Sequence, residues 1–146
     1  MTNLPFFVYG TLRPGQGNYR LLAGHTVAEF PATLPGHALY GPGLPYVTAG
    51  EEDSMVVGAL MFVAPERYAE VLARLDCLEG YHPGGRHCHY EREARTVRYV
   101  DADGAEATTL AWVYLAGPAA RERLRATERI AGGDWVAAGP LAFCGR

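Results

Sequence analysis

The amino-acid sequence predicts an α+β domain built on a curled, mixed sheet. Three observations carry that expectation. A chain of 146 residues with 49% apolar side chains is enough for one core that buries most of its surface. Its stretches follow one another as strand, helix, several strands, helix, long hairpin and helix, which is not the strict alternation of a doubly wound parallel sheet. Two long strand patterns also meet at Asp101-Ala102-Asp103-Gly104, a hairpin turn signal. A single domain over residues 1–146 is expected, with neither an internal repeat nor a low-complexity tract beyond a Gly and Pro bias.

Residues 6–9 form a continuous apolar run of strand length, ended by Gly10 and then by Pro14, Gly15 and Gly17, which reads as a buried strand feeding a loop. Asn18 is placed to cap a short helix through Leu22. Residues 26–50 are rich in Gly and Pro, and Leu34-Pro35-Gly36 and Gly41-Pro42-Gly43 cut them into strand-sized pieces such as His37–Tyr40. Met55–Val63 is a second apolar strand, in which Gly58 marks a bulge or a close backbone approach. Pro65 suits a first helical position, and Tyr68, Val71, Leu72 and Leu75 follow at the i, i+3, i+4, i+7 spacing of one buried helix face. That helix is expected to end near Asp76. Pro83-Gly84-Gly85 makes a loop, residues 89–100 and 106–115 the hairpin, and residues 119–129 a charged helix that Gly132 and Gly133 terminate.

The net charge of −3 and pI near 5.9 leave no electrostatic footprint for nucleic acid, which needs clustered Lys and Arg. Lysine is absent, so all 13 basic side chains are arginine. Cys77, Cys88 and Cys144 are odd in number and form no CxxC pair, which argues against a disulfide framework and fits a reducing cytoplasm. No basic region precedes an apolar stretch at the N-terminus, and the run from Leu4 to Tyr9 is too short to span a bilayer. A soluble, unprocessed protein without membrane contact is expected.

The opening loop, Tyr9-Gly10-Thr11-Leu12-Arg13-Pro14-Gly15-Gln16-Gly17-Asn18, carries glycines that let successive N–H groups turn into a concavity for an anion or oxyanion. It lacks the Gly-Lys-Ser/Thr ending of a P-loop and the glycine spacing of a dinucleotide fingerprint, and an ordinary tight turn is the plainer reading. Glu79 follows the helix in Leu75-Asp76-Cys77-Leu78-Glu79-Gly80-Tyr81. The negative end of the helix dipole, with burial, would raise its pKa towards neutrality and suit it to proton shuttling, whereas most acids at such a place are solvated. Tyr90 and Arg92 share one strand face, where they could orient a substrate carboxylate or make a surface cross-strand pair. His82, His87, Cys88 and His89 invite a zinc reading, but on a strand His87 and His89 face away from Cys88, so no metal is expected. Asp101 to Gly104 matches only part of a calcium loop, and no Ser or Cys stands in a nucleophile elbow.

Taken together, Phe7-Val8-Tyr9-Gly10-Thr11-Leu12-Arg13, Leu75-Asp76-Cys77-Leu78-Glu79-Gly80-Tyr81, Tyr90-Glu91-Arg92 and Gly133-Asp134-Trp135 resemble the gamma-glutamylcyclotransferase-like family, in its gamma-glutamylamine cyclotransferase or AIG2-like branch. The resemblance implies a small mixed β-barrel with flanking helices. It also implies a reaction without cofactor in which a gamma-glutamyl amide, a small molecule, cyclises to 5-oxoproline and frees an amine. By position, Glu79 corresponds to the catalytic acid/base, and Tyr9, Gly10, Thr11 and Leu12 to a substrate-cradling loop. Arg13, Tyr90 and Arg92 correspond to site-forming or site-supporting residues. Many members have Asn-His where this chain has Asn18-Tyr19, and Gly-Glu-Leu where it has Gly58-Ala59-Leu60. Two other readings stay open: a non-catalytic small-molecule-binding domain of the same fold, and a metal-dependent hydrolase using His82, His87 and His89.

Overall fold

The computed structural model describes residues 3–41, 44–50, 52–82 and 89–137. Its strands are β1 (Phe6–Val8), β2 (Thr26–Pro35), β3 (His37–Tyr40), β4 (Tyr46–Ala49), β5 (Met55–Val63), β6 (Tyr90–Val100) and β7 (Glu106–Ala116), with helices α1 (Tyr68–Glu79) and α2 (Pro118–Arg121). Five strands close a barrel in the order β1-β5-β2-β6-β7, and β3 and β4 pair as a separate two-stranded sheet. The barrel is mixed because β1 runs antiparallel to β5 and parallel to β7, which it meets where Phe6 faces Trp112. Closure gives each of the five strands a paired neighbour on both sides. The α+β class with a small mixed barrel is therefore as the sequence indicated.

β1 shows why so short a strand is enough. Its side chains alternate between two layers, Phe6 and Val8 packing with Tyr68, Val71 and Leu75 of α1, and Phe7 with Leu39, Val47 and Trp135. All three residues of the strand are buried, so each contributes apolar area on one side or the other. The close approach expected at Gly58 is to this strand: a Cβ there would run into the Val8 carbonyl oxygen and the Phe7 ring.

The hairpin pairs in full register from Tyr90 with Ala116 to Val100 with Glu106. Asp101 closes its turn by accepting the amides of Asp103 at 2.9 Å and Ala105 at 3.0 Å on one carboxylate oxygen. Three expectations need correction. The Gly- and Pro-rich stretch contains a continuous ten-residue strand, β2, and β6 reaches it only at Ala32 and Thr33, beyond Pro31, which has no N–H to give a second neighbour. Helix α1 continues past Asp76 to Glu79 and stops at Gly80, whose φ of 67° is open to glycine at little cost. The charged C-terminal helix is reduced to α2 and a 3-10 turn at Ala126–Glu128. There the chain instead pairs with β3: the Gly41 amide donates to the Glu128 carbonyl and the Ile130 amide to the Leu39 carbonyl, both at 2.8 Å. Tertiary pairing overrides the weak helical preference of a segment with little apolar area to bury. The short helix after Asn18 is a 3-10 turn at Tyr19–Leu21, and the loop expected at Pro83-Gly84-Gly85 lies outside the described residues. Among the described residues no helix is long and apolar enough to cross a membrane.

Candidate active site

The exit of α1 is held by a doubled hydrogen bond. The Tyr81 amide donates to the Asp76 carbonyl at 2.9 Å and the Gly80 amide to the Cys77 carbonyl at 3.1 Å, a Schellman stop. The Asp76 carboxylate is held as well. It accepts the Tyr114 hydroxyl at 2.6 Å and the Arg92 guanidinium at 2.8 and 3.2 Å. Arg92 is sandwiched further by the Trp112 ring, 4.4 Å from its guanidinium carbon, and the Tyr81 ring at 5.3 Å. The last turn of α1 is thus tied to β6 and β7, and that tie fixes where Glu79 stands.

Glu79 is half-buried, and among the described residues its carboxylate makes neither a hydrogen bond nor an ion pair. Desolvation pushes its carboxyl up to about 7. It lines a cleft together with Leu78 from the same helix, Tyr90 and Tyr114 from the hairpin, and Tyr9, Gly10, Thr11 and Leu12 from the loop after β1. Leu44 and Pro45, just before β4, complete one wall, and Asn18 another. The enclosed space is about 110 Å³.

The loop folds on itself in a way that satisfies some amides and leaves others. Arg13 donates to the Gly10 carbonyl, Gln16 to Arg13, and Asn18 to Thr11, whose hydroxyl also accepts the Asn18 side chain at 2.9 Å. Among the described residues, the amides of Gly10, Thr11 and Leu12 find no acceptor. Tyr9 is buried, and its hydroxyl donates to the Tyr114 carbonyl at 2.5 Å. Burial pushes its phenol well above the usual range, with smaller contributions from Tyr90 and Glu79, so Tyr9 stays neutral and keeps donating.

The structure thus brings Glu79, Tyr9, Gly10, Thr11, Leu12 and Tyr90 to one cleft and leaves Arg13 and Arg92 outside its lining. Arg13 instead binds Asp134 at 2.7 Å. Burial pushes the Asp134 carboxyl up, but the Ala137 amide and Arg13 outweigh it and hold it below the usual range. The Gly133-Asp134-Trp135 segment therefore fastens the far side of the loop to the body of the protein. Tyr90 donates its hydroxyl to the Pro45 carbonyl at 2.7 Å and stacks on Tyr46 at 4.8 Å. His87 and Cys88 lie outside the described residues, and among the described ones no three His, Cys, Asp or Glu side chains gather as metal ligands. The sequence reading assigned no role to Asp76, Tyr114, Leu44 or Pro45. Asp76 lay within a quoted motif, but nothing local ties it to Tyr114, 38 residues away.

Residues 6–137 match the family described as gamma-glutamyl cyclotransferase, AIG2-like. Among solved structures the chain is similar to the uncharacterized protein PH0828 from Pyrococcus horikoshii, with a TM-score of 0.58 and 22% identity over 92% of each chain. It is similar to protein ytfP from Escherichia coli, with a TM-score of 0.54 and 25% identity over 92% of this chain and 98% of that one. A gamma-glutamyl cyclotransferase specific to glutathione from yeast superposes with a TM-score of 0.57 at 14% identity, over 78% of this chain and 69% of that one. No match is found among curated proteins. The family match runs from the first residue of β1 to just beyond the buried Trp135, so it takes in the cleft, the tie at Asp76 and the clamp at Asp134: this chain belongs to the gamma-glutamyl cyclotransferase, AIG2-like family.

Proposed function

We propose that this protein is a cyclotransferase that converts a gamma-glutamyl amide to 5-oxoproline and a free amine, with Glu79 as general acid and base. The observation that carries this reading is a desolvated carboxyl at about 7, unpaired among the described residues, on the wall of the same cleft as three loop amides that find no acceptor among them. Such a carboxyl is near half-ionised at neutral pH, which is where a group that must both take and give a proton works best.

The chemistry asks little else of the protein. Glu79 takes a proton from the substrate α-ammonium, and the freed nitrogen lone pair attacks the gamma-carbonyl carbon. The five-membered ring closes, the amide C–N bond breaks, and protons from the attacking nitrogen pass to the departing nitrogen, which leaves as an ammonium. No water is consumed and no net proton is released. Because the nucleophile belongs to the substrate, holding the glutamyl chain bent supplies much of the rate. In this reading the amides of Gly10, Thr11 and Leu12 receive the α-carboxylate or the developing oxyanion, where one donor is worth on the order of 10²-fold or more. Tyr90 shapes the cleft, and Arg13 and Arg92 support it through Asp134 and Asp76. No cofactor enters the scheme.

Glu79→Gln tests the proposal. The amide keeps the shape of the side chain, so fold and ligand binding are expected to persist, while release of 5-oxoproline from gamma-glutamyl amides falls by roughly 10²- to 10⁴-fold. Equal turnover in the two proteins would remove Glu79 from the mechanism.

A further inference from the structure

We infer that the protein carries a second subsite beside the cleft, which receives the departing amine and favours an apolar, ring-sized substituent on it. This inference rests on the cyclotransferase reading and adds to it the class of amine. The cleft itself is small, about 110 Å³, so a glutamyl group seated there leaves no place for a bulky partner. A second cavity, of about 290 Å³, adjoins it.

The partition between the two is short and firmly held. Leu44 lines both cavities and is 51% exposed, an apolar side chain at their junction with nothing over it among the described residues. Tyr46 faces the second cavity and stacks on Tyr90, which faces the first, the rings 12° from parallel. The Tyr90 hydroxyl pins the intervening Pro45 carbonyl. Beyond the partition the wall among the described residues is made by Tyr40, Ala120 and Leu124, with Arg123, Glu128 and His89 as its polar side chains. One acid and one arginine set no field of single sign, and the Glu128 carboxylate already accepts the Arg125 amide at 3.0 Å. The chemistry of the wall therefore suits an aromatic or aliphatic ring better than a cationic tail.

Three substrates decide the matter: gamma-glutamyl amides of benzylamine, methylamine and 1,5-diaminopentane, assayed with the full chain for 5-oxoproline. The benzylamide is expected to exceed the methylamide in kcat/KM by about tenfold or more. Leu124→Asp, and independently Leu44→Ser at its exposed position, should each lower that preference at least about fivefold, read as the ratio of the two substrates. A benzyl-to-methyl ratio near one, or preference for the aminopentyl amide, would overturn the subsite. If none of the amides cyclises, it is the cyclotransferase reading that fails. The subsite is then decided by NMR titration with benzylamine: shifts at Ala120 and Leu124 that disappear in Leu44→Ser uphold it, and their absence overturns it.

Discussion

Asp76 and Glu79 stand three residues apart in the last turn of one helix, yet the protein treats the two carboxylates in opposite ways. Asp76 is given a guanidinium and a phenol and is consumed by them. Among the described residues Glu79 is given neither, and burial pushes its carboxyl up. The difference teaches how one turn can treat two acids unlike: the bonds of Asp76 fix the turn, and among the described residues Glu79 is buried without a partner of its own. An acid that bonded its own surroundings as Asp76 does would be better anchored and worse at exchanging a proton.

The contrast can be broken most forcefully at Asp76. Asp76→Ala leaves Arg92 and Tyr114 facing each other without their acceptor, with the pair's side chains only 12% and 16% exposed in the native protein. Losing one member of so buried a pair should cost about 3–5 kcal/mol in urea unfolding, with cyclisation activity falling in parallel. Asp76→Asn, which keeps an acceptor for Tyr114, should lose less. A variant Asp76→Ala as stable as the wild type would refute the anchoring role.

A smaller effect sharpens the other side of the comparison. The Glu79 carboxyl titrates near 7 in the folded protein against 4.5 when unperturbed, so the native state is favoured by its protonated form. That contribution is complete below pH 4.5 and is lost as pH rises through 7. Glu79→Gln, which never ionises, should therefore melt a few degrees above the wild type at pH 8.5 and alongside it at pH 4, as removal of a functional strain commonly does. A difference in Tm that does not change with pH would mean that desolvation is not what distinguishes Glu79.

The smallest effect is expected at Arg13. Its bond to Asp134 joins side chains 17% and 25% exposed, and Arg13→Ala should cost about 1 kcal/mol or less in stability. If Arg13 only fastens the loop, KM for a gamma-glutamyl amide changes by less than about threefold. A rise of tenfold or more with kcat unchanged would place Arg13 on the substrate and make it a second charged participant beside Glu79.

How much of this was legible in the sequence follows from how local each cause is. The apolar run of β1, the face of α1 and the Asp-Gly turn of the hairpin are set by neighbours in the chain, and all were readable from spacing. β2 was not, because its prolines and its mostly half-exposed pattern carry no clear alternation, and only its pairing with β5 makes it a strand. The segment after α2 misled in the opposite sense, since its charges resemble a helix until the backbone pairing at Glu128 and Ile130 is seen. At the site, Glu79 and the opening loop stood out through their motifs. Arg92 looked like a candidate for substrate because its partner, Asp76, lies 16 residues away on the preceding helix. Leu44 and Pro45 gave no signal of their own within the loops from Leu34 to Ser54, whose place at a substrate mouth was only a general expectation.

The barrel is closed on one side by β1 meeting β7 at Phe6 and Trp112, with the Trp112 amide reaching the Pro5 carbonyl. From that narrow weld the chain passes through Val8 directly into the residues that cradle the cleft. Local opening favours places with few bonds to break, and this seam, paired at one position, lies next to that loop. If the loop places a substrate as proposed, mechanical integrity of the seam and accuracy of that placement are a single property.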